Sequence, residues 1–370
     1  MQSITVKAPG RINLIGEHTD YNNGFVLPAA IQKAATVTIT KRADDEMHLT
    51  ALDLNETLVI DSLAGLKQQA INSWTNYVVG VIVQFAKIQK FPTGFDIALT
   101  SNVPIGAGLS SSAAIECAVA YGLNALFSFG IDKMDLVYMA QKAEHEFAGV
   151  QCGIMDQFAS MFGQKDQVVL LDCATMEYQY FPLLLQDYQI VLLDTGVKHA
   201  LASSEYNTRR LECEAGVQLI AAQYPQVQSL RAATLDMLNA TVNEQENPIV
   251  YKRCKYVIEE IERTQLATED LRMHQLKAFG AKMFATHQGL SKLYEVSCPE
   301  LDILVNAVKD NENVIGARMM GGGFGGCTIN IIKTQAVANI IKDLEQQYLA
   351  TTGKPLHHYI VSIEEGAAIL

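Results

Sequence analysis

Short alternations of apolar and polar residues mark the strands that the chain predicts. Thr36-Val37-Thr38-Ile39-Thr40 and Phe95-Asp96-Ile97-Ala98-Leu99-Thr100 place every second side chain on one face. Ala113 to Phe127 and Met134 to Ala148 carry apolar residues at helical spacing instead. An irregular stretch from Leu183 to Asp187 is followed by a strand pattern over Gln189 to Asp194, a mainly helical region, and a last strand region from Gly326 to Lys333. No repeat, low-complexity tract or Pro/Gly/Ser-rich linker intervenes, so any domain crossing is compact. The expected class is α+β, with two packed domains over 1–185 and 186–370, since 370 residues exceed what one core usually serves.

Composition narrows the partners. Forty acidic residues against 28 basic ones give a formal charge of −12, and no run of Lys or Arg forms a stripe for a nucleic-acid backbone, so none is expected as a partner. Net charge does not exclude a nucleotide, because local amide donors and a metal ion decide that binding. Seven scattered cysteines without a CxxC pair predict reduced thiols rather than a metal or disulfide framework. The first residues lack a basic-then-apolar leader, and no stretch approaches the ~18 apolar residues of a membrane span, so a cytoplasmic chain without membrane contact is expected, monomeric by default.

Pro104-Ile105-Gly106-Ala107-Gly108-Leu109-Ser110-Ser111-Ser112-Ala113 joins a strand pattern to an apolar helix expected to begin at Ala113. Glycines let a phosphate approach the backbone, and first-turn amides favour its charge. No Lys follows, so this is not a Walker loop, and Ser111 occupies the third glycine position of a dinucleotide fingerprint. Alone, the segment reads more readily as a serine-capped helix start than as a phosphate site.

Five further groups of residues bear on the same chemistry. Gly10 to Gly24 packs Arg11, Glu17, His18 and Asp20 into a turn-rich stretch whose carboxylates suit the vicinal hydroxyls of a polyol; the bland alternative is a solvated loop. Arg11 suits lowering a neighbouring pKa or stabilising phosphoryl charge. Glu144 sits at the border of an apolar helix face, where it can turn into a cleft and, with a loop serine, phosphate oxygens and water, match the octahedral preference of Mg²⁺; most helix glutamates are merely solvated. Asp156 is the lone acid in the apolar stretch Cys152 to Phe158, where burial without a partner would be costly. Lys198 to Arg210 reads as a helix start capped by Ser203 or Ser204. Arg318-Met319-Met320-Gly321-Gly322-Gly323-Phe324-Gly325-Gly326 implies a hinge, or a loop pressed against a ligand or another loop.

Taken together, the glycine-serine loop, the polar N-terminal segment and the late glycine-rich segment resemble, in order and spacing, the three motifs of the GHMP small-molecule kinases. The run Gly16-Glu17-His18-Thr19-Asp20-Tyr21 is similar to the signature of the galactose-phosphorylating branch. The resemblance spans essentially the whole chain. It implies an N-terminal domain with a left-handed βαβ unit beside a C-terminal α+β domain, with the site between them. It also implies ATP-dependent phosphorylation of D-galactose at the C1 hydroxyl, giving galactose 1-phosphate and ADP, as the first committed step of galactose breakdown. Carried over by residue, Glu17, His18, Thr19, Asp20 and Tyr206 would bind sugar, and Asp156 would face the anomeric hydroxyl with Arg11 stabilising the transition state. Gly106, Ala107, Gly108, Leu109, Ser110, Ser111 and Ser112 would wrap the triphosphate of ATP, with Gly321 to Gly326 closing the nucleotide side. Ser112 and Glu144 would hold Mg²⁺. Trp74 is similar to a family aromatic near adenine, with a core tryptophan as the alternative. An N-acetylgalactosamine kinase and a non-catalytic sugar sensor are the rival readings.

Overall fold

The computed structural model describes residues 2–61, 73–88, 91–197 and 202–370; among these the chain forms thirteen strands and ten α-helices. It opens with β1 (Ser3–Asn13), the short β2 (Phe25–Val26) and β3 (Pro28–Lys41). β1 and β3 pair antiparallel from Ser3 opposite Thr40 to Asn13 opposite Pro28, with a register shift between Pro9 and Arg11. Val6, Val37 and Ile39 turn inward while Thr5 and Thr38 share a hydrogen bond on the other face, the alternation a half-buried ribbon requires. β4 (Met47–Ala51), β5 (Glu56–Ile60), α1 (Trp74–Ile88) and β6 (Phe95–Ser101) follow, β6 running antiparallel to β3 and parallel to β4.

Helix α2 (Ser111–Phe127) covers the inner face of this sheet. It is buried nearly all round and rich in alanine, so it approaches closely: a Cβ on Gly122 would stand 2.7 Å from Ile39. It starts two residues before the expected Ala113, because Ser110 takes a left-handed turn (φ 56°) and leaves the amides of Ser111 and Ser112 in the first helical turn. α3 (Lys133–Ala143) continues into a π-helical turn, Glu144–Ala148, and α4 (Met155–Phe162) follows. β7 (Gln167–Asp172) and β8 (Tyr178–Pro182) complete a three-stranded sheet with β2.

The second half contains β9 (Tyr188–Asp194), α5 (Ala202–Ala221), α6 (Leu235–Thr241), α7 (Pro248–Arg272), α8 (Leu276–Gly289), α9 (Pro299–Val308), β10 (Val314–Met319), β11 (Cys327–Lys333), α10 (Val337–Thr352), β12 (His357–Val361) and β13 (Ala368–Ile369). Its sheet has the order β10-β11-β9-β12, while β13 returns to β1 at the edge of the first sheet, β13-β1-β3-β6-β4-β5. Residues 198–201 and the side chain of Ser203, one of the two expected caps of α5, lie outside what is described.

The largest apolar core joins Ile12, Val37 and Leu123 of the first half to Ile190, Leu192, Phe279 and Ile329 of the second. At roughly 1.5–3 kcal/mol for each large side chain buried, this shared core fixes the two halves against one another. Two smaller cores lie around Tyr256 and Tyr294, and around Leu304 and Tyr348. All seven cysteines are free thiols, and among the described residues no helix is long and apolar enough to cross a membrane.

Candidate active site

The register shift in β1 aims Arg11 inward. Gly10 occupies the shift, and a Cβ there would meet the Leu109 carbonyl at 2.6 Å; that same carbonyl accepts the Arg11 amide at 3.1 Å. Arg11 then grips Asp156, in the first turn of α4, with two parallel bonds, Nε to Oδ1 at 2.8 Å and Nη2 to Oδ2 at 2.9 Å. Its third donor, Nη1, reaches the Gly108 carbonyl at 2.6 Å, and Ser110 donates to Asp156 Oδ2. Burial works against the Arg11 cation, but Asp156 and Glu17 outweigh it and raise its pKa. The Asp156 side chain stays 24% exposed, open to a cavity of about 270 Å³.

Glu17, His18, Asp20 and Tyr206 line the same cavity. Glu17 Oε1 accepts three bonds, from Arg318 Nη1 and Nη2 at 3.1 Å each and from the Gly321 amide at 2.8 Å. Burial opposes its charge, yet Arg318 and Arg11 prevail and lower its pKa. Asp20 is buried too, but burial and the charge of Asp156 push it up to about 6. Gly153 makes room for it: a Cβ there would fall 1.8 Å from Asp20 Oδ2. Burial pushes the His18 imidazole down to about 4, its Nδ1 lies 2.7 Å from the Tyr21 hydroxyl, and its buried Nε2 has no partner of ordinary hydrogen-bond geometry.

The serine loop forms the opposite wall. Ser112 donates to Glu144 Oε1 at 3.0 Å, while Gln157 Nε2 donates to Glu144 Oε2 at 2.7 Å and to Glu116 Oε2 at 3.0 Å. Burial and Asp156 raise Glu144 to about 7, and burial and Glu144 raise Glu116 further still. Among the described residues no cluster of three His, Cys, Asp or Glu could hold a metal, so a cation here would take one hydroxyl and one carboxylate from the protein and complete its shell from phosphate and water. That all-oxygen donor pair, in a cavity lined by the acids Glu17, Asp20, Glu144 and Asp156 and by the guanidinium of Arg11, suits a hard divalent cation. The late glycine-rich segment backs the loop, Gly321 against Gly108 and Gly326 against Ala107, as a loop pressed on another loop. Beyond Ser111 and Ser112 opens a second cavity of about 710 Å³, walled by Trp74, Tyr77, Val103, Ile105 and Ile115. Trp74 is half-buried against the edge of the largest core, and its indole N–H donates to Glu56 at 2.7 Å.

Of the residues singled out by sequence, Arg11, Glu17, His18, Asp20, Gly106, Gly108, Leu109, Ser110, Ser111, Ser112, Glu144, Asp156 and Tyr206 converge on one cavity. Thr19 and Ala107 do not line it. Thr19 is fully buried with its hydroxyl spent on the carbonyls of Gly16 and Phe25, at 2.8 and 2.6 Å, so it shapes the loop; Ala107 is fully buried beneath the serine loop. Sequence reasoning passed over Arg318, Gln157, Glu260 and Tyr256. Arg318 has no exposed surface and binds the carbonyls of Leu14, Asn13 and Met319 besides Glu17. Glu260 receives the Gly16 amide at 2.9 Å, and the Tyr256 hydroxyl donates to the Glu17 carbonyl at 3.0 Å. A charge in the otherwise apolar strand run Val314 to Met319 was the available signal for Arg318.

Known proteins share this arrangement at two levels. Models of the GHMP kinases' N-terminal and C-terminal domains match residues 76–164 and 267–350, and the galactokinase galactose-binding signature matches residues 2–41. The mevalonate kinase of Methanococcus jannaschii superposes with a TM-score of 0.68 over 98% of this chain and 99% of that one, at 18% identity, a likeness of fold alone. The galactokinase of Thermotoga petrophila is 42% identical over 98% of both chains, and that of Clostridium acetobutylicum 40% identical over 97% of this chain and 93% of its own. The structure of Lactococcus lactis galactokinase complexed with galactose superposes with a TM-score of 0.94 at 33% identity, covering all of this chain and 95% of that one. A two-domain α+β kinase of small molecules is thus defined by fold and site, and within the GHMP kinases the chain belongs to the galactokinase family. It is an enzyme, a sugar kinase.

Proposed function

We propose that the chain transfers the γ-phosphoryl group of ATP to the C1 hydroxyl of D-galactose, in the cavity between the polar N-terminal loop and the serine loop. The observation that carries this reading is the Arg11 clamp, in which one guanidinium holds the carboxylate of Asp156 and the carbonyl of Gly108 in the phosphate loop. Acceptor and donor halves of a transfer are thereby tied to one group. Glu17, His18, Asp20 and Tyr206 position the sugar, and the amides and hydroxyls of Ser110 to Ser112 face the phosphates at the start of α2. The second cavity, with Trp74 at its wall, takes the nucleoside. Ser112 and Glu144 would hold Mg²⁺, which would supply positive charge to shield the phosphoryl oxygens.

Asp156 orients the attacking hydroxyl and takes its proton. Three donors hold both oxygens of this carboxylate in place, and the proton moves late, once the phosphoryl group has largely left ATP. Arg11 holds the carboxylate in place and balances the charge that develops beside it.

The test is coupled ADP release with ATP and Mg²⁺ against D-galactose, D-glucose, N-acetylgalactosamine and a no-sugar control. Turnover with galactose well above the other three is expected, and Asp156→Asn should lose roughly 10²–10⁴-fold in kcat while still binding galactose. A near-normal rate in that variant removes Asp156 from the chemistry. Preference for N-acetylgalactosamine reassigns the substrate, and binding of galactose without turnover in the unmodified chain leaves a sensor.

A further inference from the structure

Behind His18 runs a buried chain of hydrogen bonds that the transfer reaction does not itself require. The Tyr21 hydroxyl lies 2.7 Å from His18 Nδ1, the Tyr294 hydroxyl 2.7 Å from that of Tyr21, and the Cys213 thiol 3.2 Å from that of Tyr294. Tyr294 and Cys213 have essentially no exposed surface. The rings lock together: His18 packs on Tyr294 and Tyr206 with centroids 4.8 and 5.2 Å apart, and Tyr21 meets it edge-on at 5.8 Å. At the far end, His18 Nε2 is buried without a partner of ordinary geometry, though the Gly322 backbone lies close enough to favour a ring proton, and the ring lines the sugar cavity.

Each member of this chain is neutral. Burial keeps the two phenols and the thiol protonated and strips the second proton from His18, which titrates at about 4. The imidazole therefore carries one ring proton, and the chain can point only two ways. Either Nδ1–H donates outward and the last phenol donates to sulfur, or the thiol donates to Tyr294, Tyr294 to Tyr21, and Tyr21 to a bare Nδ1. The second way gives the strongest acceptor of the set, the imidazole nitrogen, the phenolic donor, whereas the first ends a phenolic O–H on a weak sulfur acceptor.

We propose that Tyr21 and Tyr294 act as positioning residues that hold His18 in its Nε2–H form, so that His18 presents a fixed hydrogen-bond donor to a sugar hydroxyl oxygen. The inference rests on the sugar-kinase reading above. It divides the cavity wall by polarity: Asp20 receives hydroxyl protons, while His18 offers one. A hydroxyl facing His18 is thus recognised as an acceptor.

The test is long-range ¹H–¹⁵N NMR of the full chain with ¹⁵N-labelled histidine, the His18 signals being assigned by their loss in His18→Gln. The expected spectrum shows Nε2 protonated and Nδ1 bare, with the Nε2 signal moving when galactose is added. Tyr21→Phe should populate the Nδ1–H form and raise the galactose KM about three- to tenfold, the worth of one neutral hydrogen bond, with kcat within about twofold. Tyr294→Phe, which keeps the Tyr21 donor, should give a smaller change of the same sign, and it decides the matter if Tyr21→Phe does not fold. A protonated Nδ1 in the unmodified enzyme, or a tautomer unmoved in the folded variants, overturns the inference while galactose turnover remains normal. Absence of galactose turnover in the unmodified enzyme overturns the reading beneath it.

Discussion

Glu17 and Asp20 share one loop, one cavity and a common disadvantage, since burial disfavours the charged form of both; they nevertheless shift in opposite directions. Glu17 is lowered because Arg318 and Arg11 lie against it, whereas Asp20 has no cation at hydrogen-bond distance among the described residues and is raised to about 6 by burial and by Asp156. Neighbouring charge, not depth, separates them. Glu17 is fixed to the second half of the chain through Arg318 and the Gly321 amide, while the Asp20 side chain is met by backbone amides alone among the described residues, that of Tyr21 at 3.0 Å and that of Met155. One carboxylate fastens the loop, and the other keeps its capacity for a ligand.

The largest effect that would break this comparison is on stability. Glu17→Ala leaves the fully buried Arg318 without its counter-charge and should cost about 3–5 kcal/mol in denaturant unfolding, with part of the loss recovered when Arg318→Met is added to Glu17→Leu. A loss under 1 kcal/mol for Glu17→Ala would show that Glu17 is no fastener.

Asp20→Asn should act in the other direction. A folded-state pKa of about 6, above the unfolded value of about 3.9, means that the folded chain binds the proton more tightly. Stability from this group is then greatest below pH 4 and is lost as pH rises through 6. Asp20→Asn should therefore be more stable than the unmodified chain by about 1–3 kcal/mol at pH 8, an advantage that shrinks toward pH 5, while its galactose KM rises at least about tenfold. Thermal melts at the two pH values check the sign.

A finer measurement sharpens the contrast through pH alone. If Asp20 must be charged to receive a sugar hydroxyl, kcat/KM for galactose should fall below about pH 6, and this inflection should vanish in Asp20→Asn. An inflection that survives the substitution assigns it to another group, Glu144 being the one that titrates nearby, at about 7.

Sequence alone carried the element pattern, the serine loop and the lone acid Asp156, because each is written in local spacing or composition. It could not separate Glu17 from Asp20, since the charge that distinguishes them, Arg318, stands 301 residues away along the chain. Nor could it place Thr19 inside the loop rather than in the cavity, because a hydroxyl's partners are backbone carbonyls that only the folded turn brings near. The early start of α2 escaped for a similar reason: serine is read as a cap, and the left-handed turn at Ser110 is visible only in dihedral angles. Arg318 was legible by the argument applied to Asp156, a charge amid apolar residues.

Arg11 has a mechanical consequence. Its guanidinium is planar, with no soft torsion between the nitrogens that hold Asp156 and the one that holds Gly108, so covalent geometry gauges the gap between carboxylate and phosphate loop. Lysine, a point charge on a flexible stem, could neutralise Asp156 but not hold that gauge. On the proposed reading, the span across which a phosphoryl group passes is therefore built into one side chain, and the sugar-facing wall can vary around it without resetting that length.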